Sequence, residues 1–382
     1  ERDKIRNEFS GIVGELVSGE VQQIERGKIV VMLNRAREAE AIIPWREQNP
    51  RERFRQGESI RAVLKKLEET PRGPRLILSR ADPLFVKALE TKYTVIGPMA
   101  HDALMAHPDR ESIQVIAAGG ESKVPATMMD ALPGLKLISV MGVGYDGVDV
   151  PHAIGRGAMV THTPNVLNDD VADLAIALML NVTRRIPQAH QFVQAGGWAK
   201  GGLPLATKLS GLRLGIVGMG RIGQAIAHRA AAFGMPIAYT ARSAKSNLPY
   251  AFVANVEDLA AQVDVLTLIT PGGAGTHHMV NAAVLKALGP KGYVVNVARG
   301  SVIDEAALVE ALQNGTIAGA GLDVFENEPH PLPALLTMDN VVLTPHVGSA
   351  TDSTRQAMAD LATTNIDRHF AGQALETPVP EC

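Results

Sequence analysis

Cysteine is almost absent from this 382-residue chain: the only one is Cys382, at the very end. An internal disulfide is therefore impossible and thiolate metal sites are excluded, and a reducing, cytoplasmic setting fits best; no metal-ligating residues are singled out. Long hydrophobic runs are missing too. The most apolar stretch, Val171 to Val182, is interrupted by Asp173 and is too short to span a bilayer. No secretory leader opens the chain, and its start at Glu1 rather than Met reads as a fragment or processed product. Neither charge sign dominates, the net being -3, yet residues 1–90 carry 18 Lys/Arg against 15 Asp/Glu. That modest excess suits a solvated surface as well as a nucleic-acid footprint. The length accommodates two or three domains.

The first ninety residues read as five short strands, Leu16 to Ile24, Lys28 to Leu33, Glu40 to Pro44, Ser59 to Leu67 and Arg75 to Ser79, separated by turns at Gly27, Asn34, Gly57 and Pro71. Five strands with Gly-rich turns suggest a small barrel of the OB type. Aromatics that could stack bases are few: Phe9, Trp45, Phe54 and Phe85. Either they stack beside Arg46, Arg51, Arg53 and Arg55, or they pack core and rim while the arginines form a solvated loop. The wording of residues 1–89, above all "PRERFRQGESIRA", closely resembles the OB-fold RNA-binding domain of the bacterial transcription factor N-utilisation substance A. The resemblance implies weak RNA binding through residues 1–90.

After residue 92 strands and helices alternate, the pattern of a doubly wound α/β protein. Residues 215–223 read GIVGMGRIG, an apolar strand running into Gly218, Gly220 and Gly223, with a helix expected over Gln224 to Ala232. Gly218 permits the tight turn, Gly220 lets the backbone approach a pyrophosphate, and Gly223 allows the helix to pack on the strand. A second strand, Pro236 to Thr240, completes a dinucleotide-binding βαβ unit. Further strands are expected at Tyr93 to Ile96, Val115 to Ala118, Leu137 to Val140, Met159 to Thr161, Val265 to Leu268, Tyr293 to Val297, Gly319 to Val324 and Val341 to Leu343.

Arg299, Glu328 and His346 follow the last three of these strands, where a doubly wound sheet gathers its ligand. A guanidinium holds carboxylate and carbonyl oxygens bidentately, imidazole exchanges a proton near neutrality, and a carboxylate orients the ring. Each also has an ordinary alternative: Arg299 paired with Asp304, Glu328 capping a turn, His346 buried in a loop.

The strings "VNVARGSVIDEAALVEAL", "GLDVFENEP" and "TPHVGSAT", downstream of the glycine turn, resemble the D-isomer-specific 2-hydroxyacid dehydrogenase family over about residues 93–380. The resemblance implies that Arg299 binds substrate carboxylate and carbonyl, that His346 is the general acid/base with Glu328 as its partner, and that Asp323 meets the nicotinamide carboxamide. In "VMGVGYDGVDV" it places the amides of Val143 and Gly144 against the substrate carboxylate. It extends the cofactor contacts to Arg221, Ile222, Thr270, Pro271, Val297, Ala298, His346 and Gly348. It further implies a small 2-oxo acid substrate, most like that of the glyoxylate and hydroxypyruvate reductases, and a homodimer.

An NAD-specific fold puts an acid at the end of the second strand. Here Arg242, Ser243 and Lys245 stand instead, which favours NADPH and leaves NADH possible. The expected architecture is thus α/β with two doubly wound parallel-sheet domains after an OB-type barrel: residues 1–90 the barrel, 91–196 plus 347–382 the substrate domain, 197–346 the Rossmann domain. Arg75 to Ser79 is claimed twice, as the last barrel strand and as the first strand of the substrate domain.

Overall fold

The structure is a computed structural model and describes residues 9, 16–25, 28–33, 40–44, 48, 54–70, 73–79, 86, 89–90, 92–96 and 104–382. Five strands, β1 (Leu16–Glu25), β2 (Lys28–Leu33), β3 (Glu40–Ile43), β4 (Ser59–Thr70) and β5 (Gly73–Ser79), close a barrel in the order β1-β2-β3-β5-β4. Strand β2 alternates strictly, turning Ile29, Val31 and Leu33 inward onto Val17, Val21, Leu64, Leu76 and Leu78. Phe9 is fully buried in this core, so its ring is not free to stack a base, whereas Phe54 packs against the core and stays partly exposed. Trp45, Arg46, Arg51, Arg53 and Phe85 lie outside the described residues.

The strand claimed by two folds belongs to the barrel. β5 pairs parallel with β3 and antiparallel with β4, which commits both its edges. The next sheet accordingly holds three parallel strands among the described residues: β6 (Val115–Gly119), β7 (Leu137–Met141) and β8 (Met159–Thr161). Among the described residues their order is sequential. Residues 92–96 do not form a strand. They are pinned by side chains, Lys92 Nζ and Tyr93 Oη each donating to Asp367 at 2.5 Å.

The third sheet comprises β9 (Leu214–Val217), β10 (Ile237–Thr240), β11 (Ala251–Phe252), β12 (Val265–Leu268), β13 (Tyr293–Asn296), β14 (Gly319–Leu322) and β15 (Val341–Leu343). All are parallel, in the order β11-β10-β9-β12-β13-β14-β15. β11 escaped sequence reading because two exposed residues carry no periodicity. The chain leaves β9 toward β10 and later returns to its other side as β12, making this the point where the connections reverse and a crevice opens beyond the carboxyl ends.

Two long helices tie the sheets together. Helix α1 (Asn168–Arg184) buries Ala175, Ile176, Leu178, Met179 and Val182 against β13 and β14. It also packs on α2 (Arg221–Ala231), where Arg229 bridges Asp173 at 2.5 Å and Asp169 at 2.9 Å. Helix α3 (Asp352–Phe370) carries the chain back onto β7. No helix among the described residues is long and apolar enough to cross a membrane.

Candidate active site

At the reversal point β9 runs directly into the glycine turn. Gly218 adopts φ 103, in the left-handed region, and a Cβ there would lie 2.6 Å from the Ile269 carbonyl oxygen at the end of β12. A Cβ on Gly223 would lie 2.2 Å from the Gly218 carbonyl, whereas the space above Gly220 is open. Close packing beneath and free approach above are what an anion seated on a helix N-terminus requires. Helix α2 begins at Arg221, three residues earlier than its expected start, so Arg221, Ile222 and Gly223 form its first turn.

The other residues expected around a dinucleotide lie along the same carboxyl edge. Thr270 and Pro271 follow β12, the buried Val297 and Ala298 follow β13, and the buried Gly348 follows β15. Arg242 and Ser243 are exposed just beyond β10, on the far flank. The amide of Lys245 donates to the buried Tyr239 hydroxyl at 2.7 Å, which anchors this basic turn.

Arg299 is positioned by the turn that ends β13. The buried Asn296 side chain accepts from the Ala298 amide and donates to the Arg299 carbonyl at 2.9 Å, fixing the backbone. Arg299 Nε then donates to Asp146 at 3.1 Å and Nη1 to the Ala298 carbonyl at 2.7 Å. Its partner is thus Asp146, across the crevice; Asp304 is occupied capping a helix through the Ala307 amide. Nη2 lies against Gly144, close enough that a Cβ there would sit 1.6 Å from it. Among the described residues the Val143 and Gly144 amides donate to no protein acceptor. The loop carrying them is held from behind, His162 Nδ1 donating to the Val143 carbonyl at 2.9 Å. Burial keeps that imidazole below its ordinary pKa.

His346 stands on a strained backbone, φ 51, that its surroundings impose. Its amide donates to the Asp323 carbonyl at 2.8 Å. The buried Asp323 carboxylate meanwhile accepts from Thr344 Oγ1 at 2.6 Å and from the Val347 and Gly348 amides at 2.8 and 2.9 Å. Burial raises the Asp323 pKa against those hydrogen bonds. The imidazole Nδ1 lies 2.9 Å from Glu328 Oε2 and 2.7 Å from Glu121 Oε1. Glu328 serves two purposes, since its Oε1 also accepts from the Phe325 amide. Burial alone would lower the His346 pKa, but the hydrogen bonds and charges of Glu121 and Glu328 outweigh it and lift the value to about 9.

The crevice therefore collects two clusters, Arg299 with Gly144 and Asp146, and His346 with Glu328, Glu121 and Asp323. Asp146, Glu121 and His162 escaped sequence reading. Asp146 lies within the singled-out "VMGVGYDGVDV" segment, whereas nothing in the local sequence marks Glu121. Fixed amides and a guanidinium suit a small carboxylate, and an imidazolium aimed by carboxylates suits proton donation to an oxygen bearing developing charge.

The comparisons agree with this chemistry. The D-isomer specific 2-hydroxyacid dehydrogenase NAD binding domain matches residues 176–348. Hydroxyphenylpyruvate reductase of Plectranthus scutellarioides is 48% identical over 269 residues, which cover 70% of this chain and 86% of that protein. Glyoxylate/hydroxypyruvate reductase A of Arabidopsis thaliana is 43% identical over 277 residues, covering 72% and 88%. Among solved structures, the NADPH-dependent glyoxylate/hydroxypyruvate reductase of Sinorhizobium meliloti in complex with NADP and malonate is 48% identical with a TM-score of 0.75, over 78% of this chain and 94% of that one. From the glycine turn to the histidine loop, fold, crevice and relatives converge: the chain belongs to the D-isomer-specific 2-hydroxyacid dehydrogenase family and is an NAD(P)-dependent oxidoreductase of 2-oxo acids.

Proposed function

We propose that the protein reduces glyoxylate and hydroxypyruvate to the corresponding 2-hydroxy acids with NADPH. The observation that carries this reading is the placement of the Arg299 guanidinium against Gly144, opposite a His346 already paired with carboxylates. In it, the Val143 and Gly144 amides and Arg299 hold the substrate carboxylate, and Arg299 also polarises the carbonyl oxygen. Bound NADPH supplies the hydride. His346 keeps Nδ1 toward Glu328 and gives the proton from Nε2 to the oxygen that becomes the hydroxyl. Gly218, Gly220 and the first turn of α2 hold the pyrophosphate, Thr270, Pro271, Val297 and Ala298 line the nicotinamide side, and Asp323 meets the carboxamide while anchoring the histidine loop. Arg242, Ser243 and Lys245 take the 2′-phosphate.

The test is the initial rate of NADPH oxidation with each acid, with NADH in parallel, in wild type and Arg242→Ala. The wild type is expected to prefer NADPH, and the variant to lose roughly tenfold in NADPH affinity while keeping NADH turnover, about one charge-assisted contact. Equal use of both cofactors by the wild type would remove the 2′-phosphate assignment, and turnover only on larger 2-oxo acids would move the substrate.

Gly144→Ala provides a second expected result. Its methyl group meets the far end of Arg299 rather than backbone, so the protein folds with an unchanged melting temperature while the guanidinium is pushed off its seat. A shift of about 1 Å in a positioning group costs on the order of 10²-fold in kcat/KM. Wild-type kinetics in this variant would show that Arg299 does not work from this position.

The same reading assigns residues 91–196 plus 347–382 to the substrate domain and 197–346 to the cofactor domain. It also places the enzyme in the cytoplasm as a homodimer. Ile186, Val193, Trp198, Leu203 and Leu205 are exposed along one continuous arm, an apolar strip suited to a second copy. The strand order of the barrel fits an OB-type fold of residues 1–90. RNA binding there has less to support it, since Phe9 is buried in the core and Phe54, packed against it, stays only partly exposed.

A further inference from the structure

We propose that Glu121 is a second positioning carboxylate for His346, reaching the imidazole from the opposite wall of the crevice and competing with Glu328 for the same Nδ1 proton. This rests on the reading of His346 as the proton donor.

The two carboxylates come from different sheets. Glu328 follows β14, whereas Glu121 sits in the turn after β6, closed by the Ser122 amide on the Gly119 carbonyl at 3.0 Å. Glu121 Oε1 lies 2.7 Å and Glu328 Oε2 2.9 Å from one nitrogen, which carries at most one proton. Both cannot accept it in full. The second carboxylate therefore acts mainly through charge: it favours the imidazolium and disfavours the neutral ring left once the proton has gone. The charged groups facing the ring are Glu121, Glu328 and, beneath the loop, Asp323.

The turn that carries Glu121 is built onto the substrate loop. The Val124 amide donates to the Gly147 carbonyl at 2.8 Å, the Asp149 amide to the Val124 carbonyl, and a Cβ on Gly147 would lie 2.3 Å from the Ser122 carbonyl. The loop that presents the Val143 and Gly144 amides, and Asp146 to Arg299, is thus packed against the turn that presents Glu121 to His346. Contact of this wall with the opposite one sets the guanidinium and loads the imidazole together. Glu121 touches neither hydride donor nor carbonyl in this scheme, so it is a positioning residue.

The experiment compares wild type, Glu121→Gln and Glu121→Asp, with His346→Asn to assign the ring signal. The His346 titration is followed by NMR of histidine-labelled protein without substrate, and kcat and KM for glyoxylate reduction are measured across pH. Glu121→Gln is expected to lower the His346 midpoint by roughly one pH unit and to move the alkaline fall of kcat/KM with it. Glu121→Asp, whose carboxylate is withdrawn by one methylene, should fall between. One shared midpoint for all three proteins overturns the proposal. Absence of wild-type turnover would instead overturn the proposed function, while the NMR titration still decides the role of Glu121.

Discussion

His346→Asn is expected to lower kcat for 2-oxo acid reduction by about 10²- to 10⁴-fold, the range removed with a positioned general acid. Asparagine keeps a polar side chain on the strained backbone but has no titratable proton. In the wild type, Glu121 and Glu328 hold the imidazole pKa near 9, above its ordinary value of 6.5. The sign follows from which form works. In the proposed mechanism reduction consumes the imidazolium, so its rate should stay high through neutral pH and fall as pH rises through about 9. Oxidation of the hydroxy acid needs the neutral ring and should rise over the same window. Because the folded pKa lies above the unfolded one, the stability contributed by this cluster is complete below about 6.5 and is lost as pH rises through about 9. Opposed pH profiles in the two directions check the assignment, and profiles that run together, or remain in the variant, would reject it.

The second large effect is expected from Arg299→Lys, a change that keeps the charge. The guanidinium donates at once to Asp146 and to the Ala298 carbonyl while a further nitrogen lies at Gly144. An ammonium is a point donor and cannot span these directions and also grip two substrate oxygens. Asp146 would be left incompletely paired beside the incoming carboxylate, where its charge repels the substrate. Losing one partner of such a half-buried pair costs about 3 kcal/mol, or roughly 10²-fold in kcat/KM, shared between KM and kcat. Steady-state kinetics at fixed NADPH measures it. A loss of only a few-fold would mean that charge alone, not the fork, is what Arg299 supplies.

Much of this site was legible because each residue sits in a segment whose local pattern declares its structure. The apolar strand before Gly218 and the spacing of Gly218, Gly220 and Gly223 require a tight turn into a helix, and Arg299 and His346 each follow a buried strand of a parallel sheet. Such strands converge at their carboxyl ends whatever the detail of the loops. Glu121 and Asp146 were not legible as partners. They lie 225 and 153 positions from His346 and Arg299, and their roles exist only because the turns after β6 and β7 close over the other sheet.

Local sequence likewise could not settle Arg75–Ser79, whose short apolar run Leu76-Ile77-Leu78 suits a barrel strand and a sheet strand equally. Strand patterning specifies which face is buried, not which partner supplies the hydrogen bonds. Residues 92–96 show the converse, an apolar-looking segment held by Lys92 and Tyr93 on Asp367, 275 and 274 positions away, rather than by a ladder. By itself, then, the sequence determined what short-range physics controls, namely the parallel α/β repeat, the glycine turn and the basic residues after β10, while Arg299, Glu328 and His346 were singled out together by the family resemblance of their strings. Only the tertiary structure decided strand ownership, the partner of Arg299 and the second carboxylate on His346. Each of these depends on groups distant in the chain meeting across a crevice, and such meetings leave no period or spacing in the sequence.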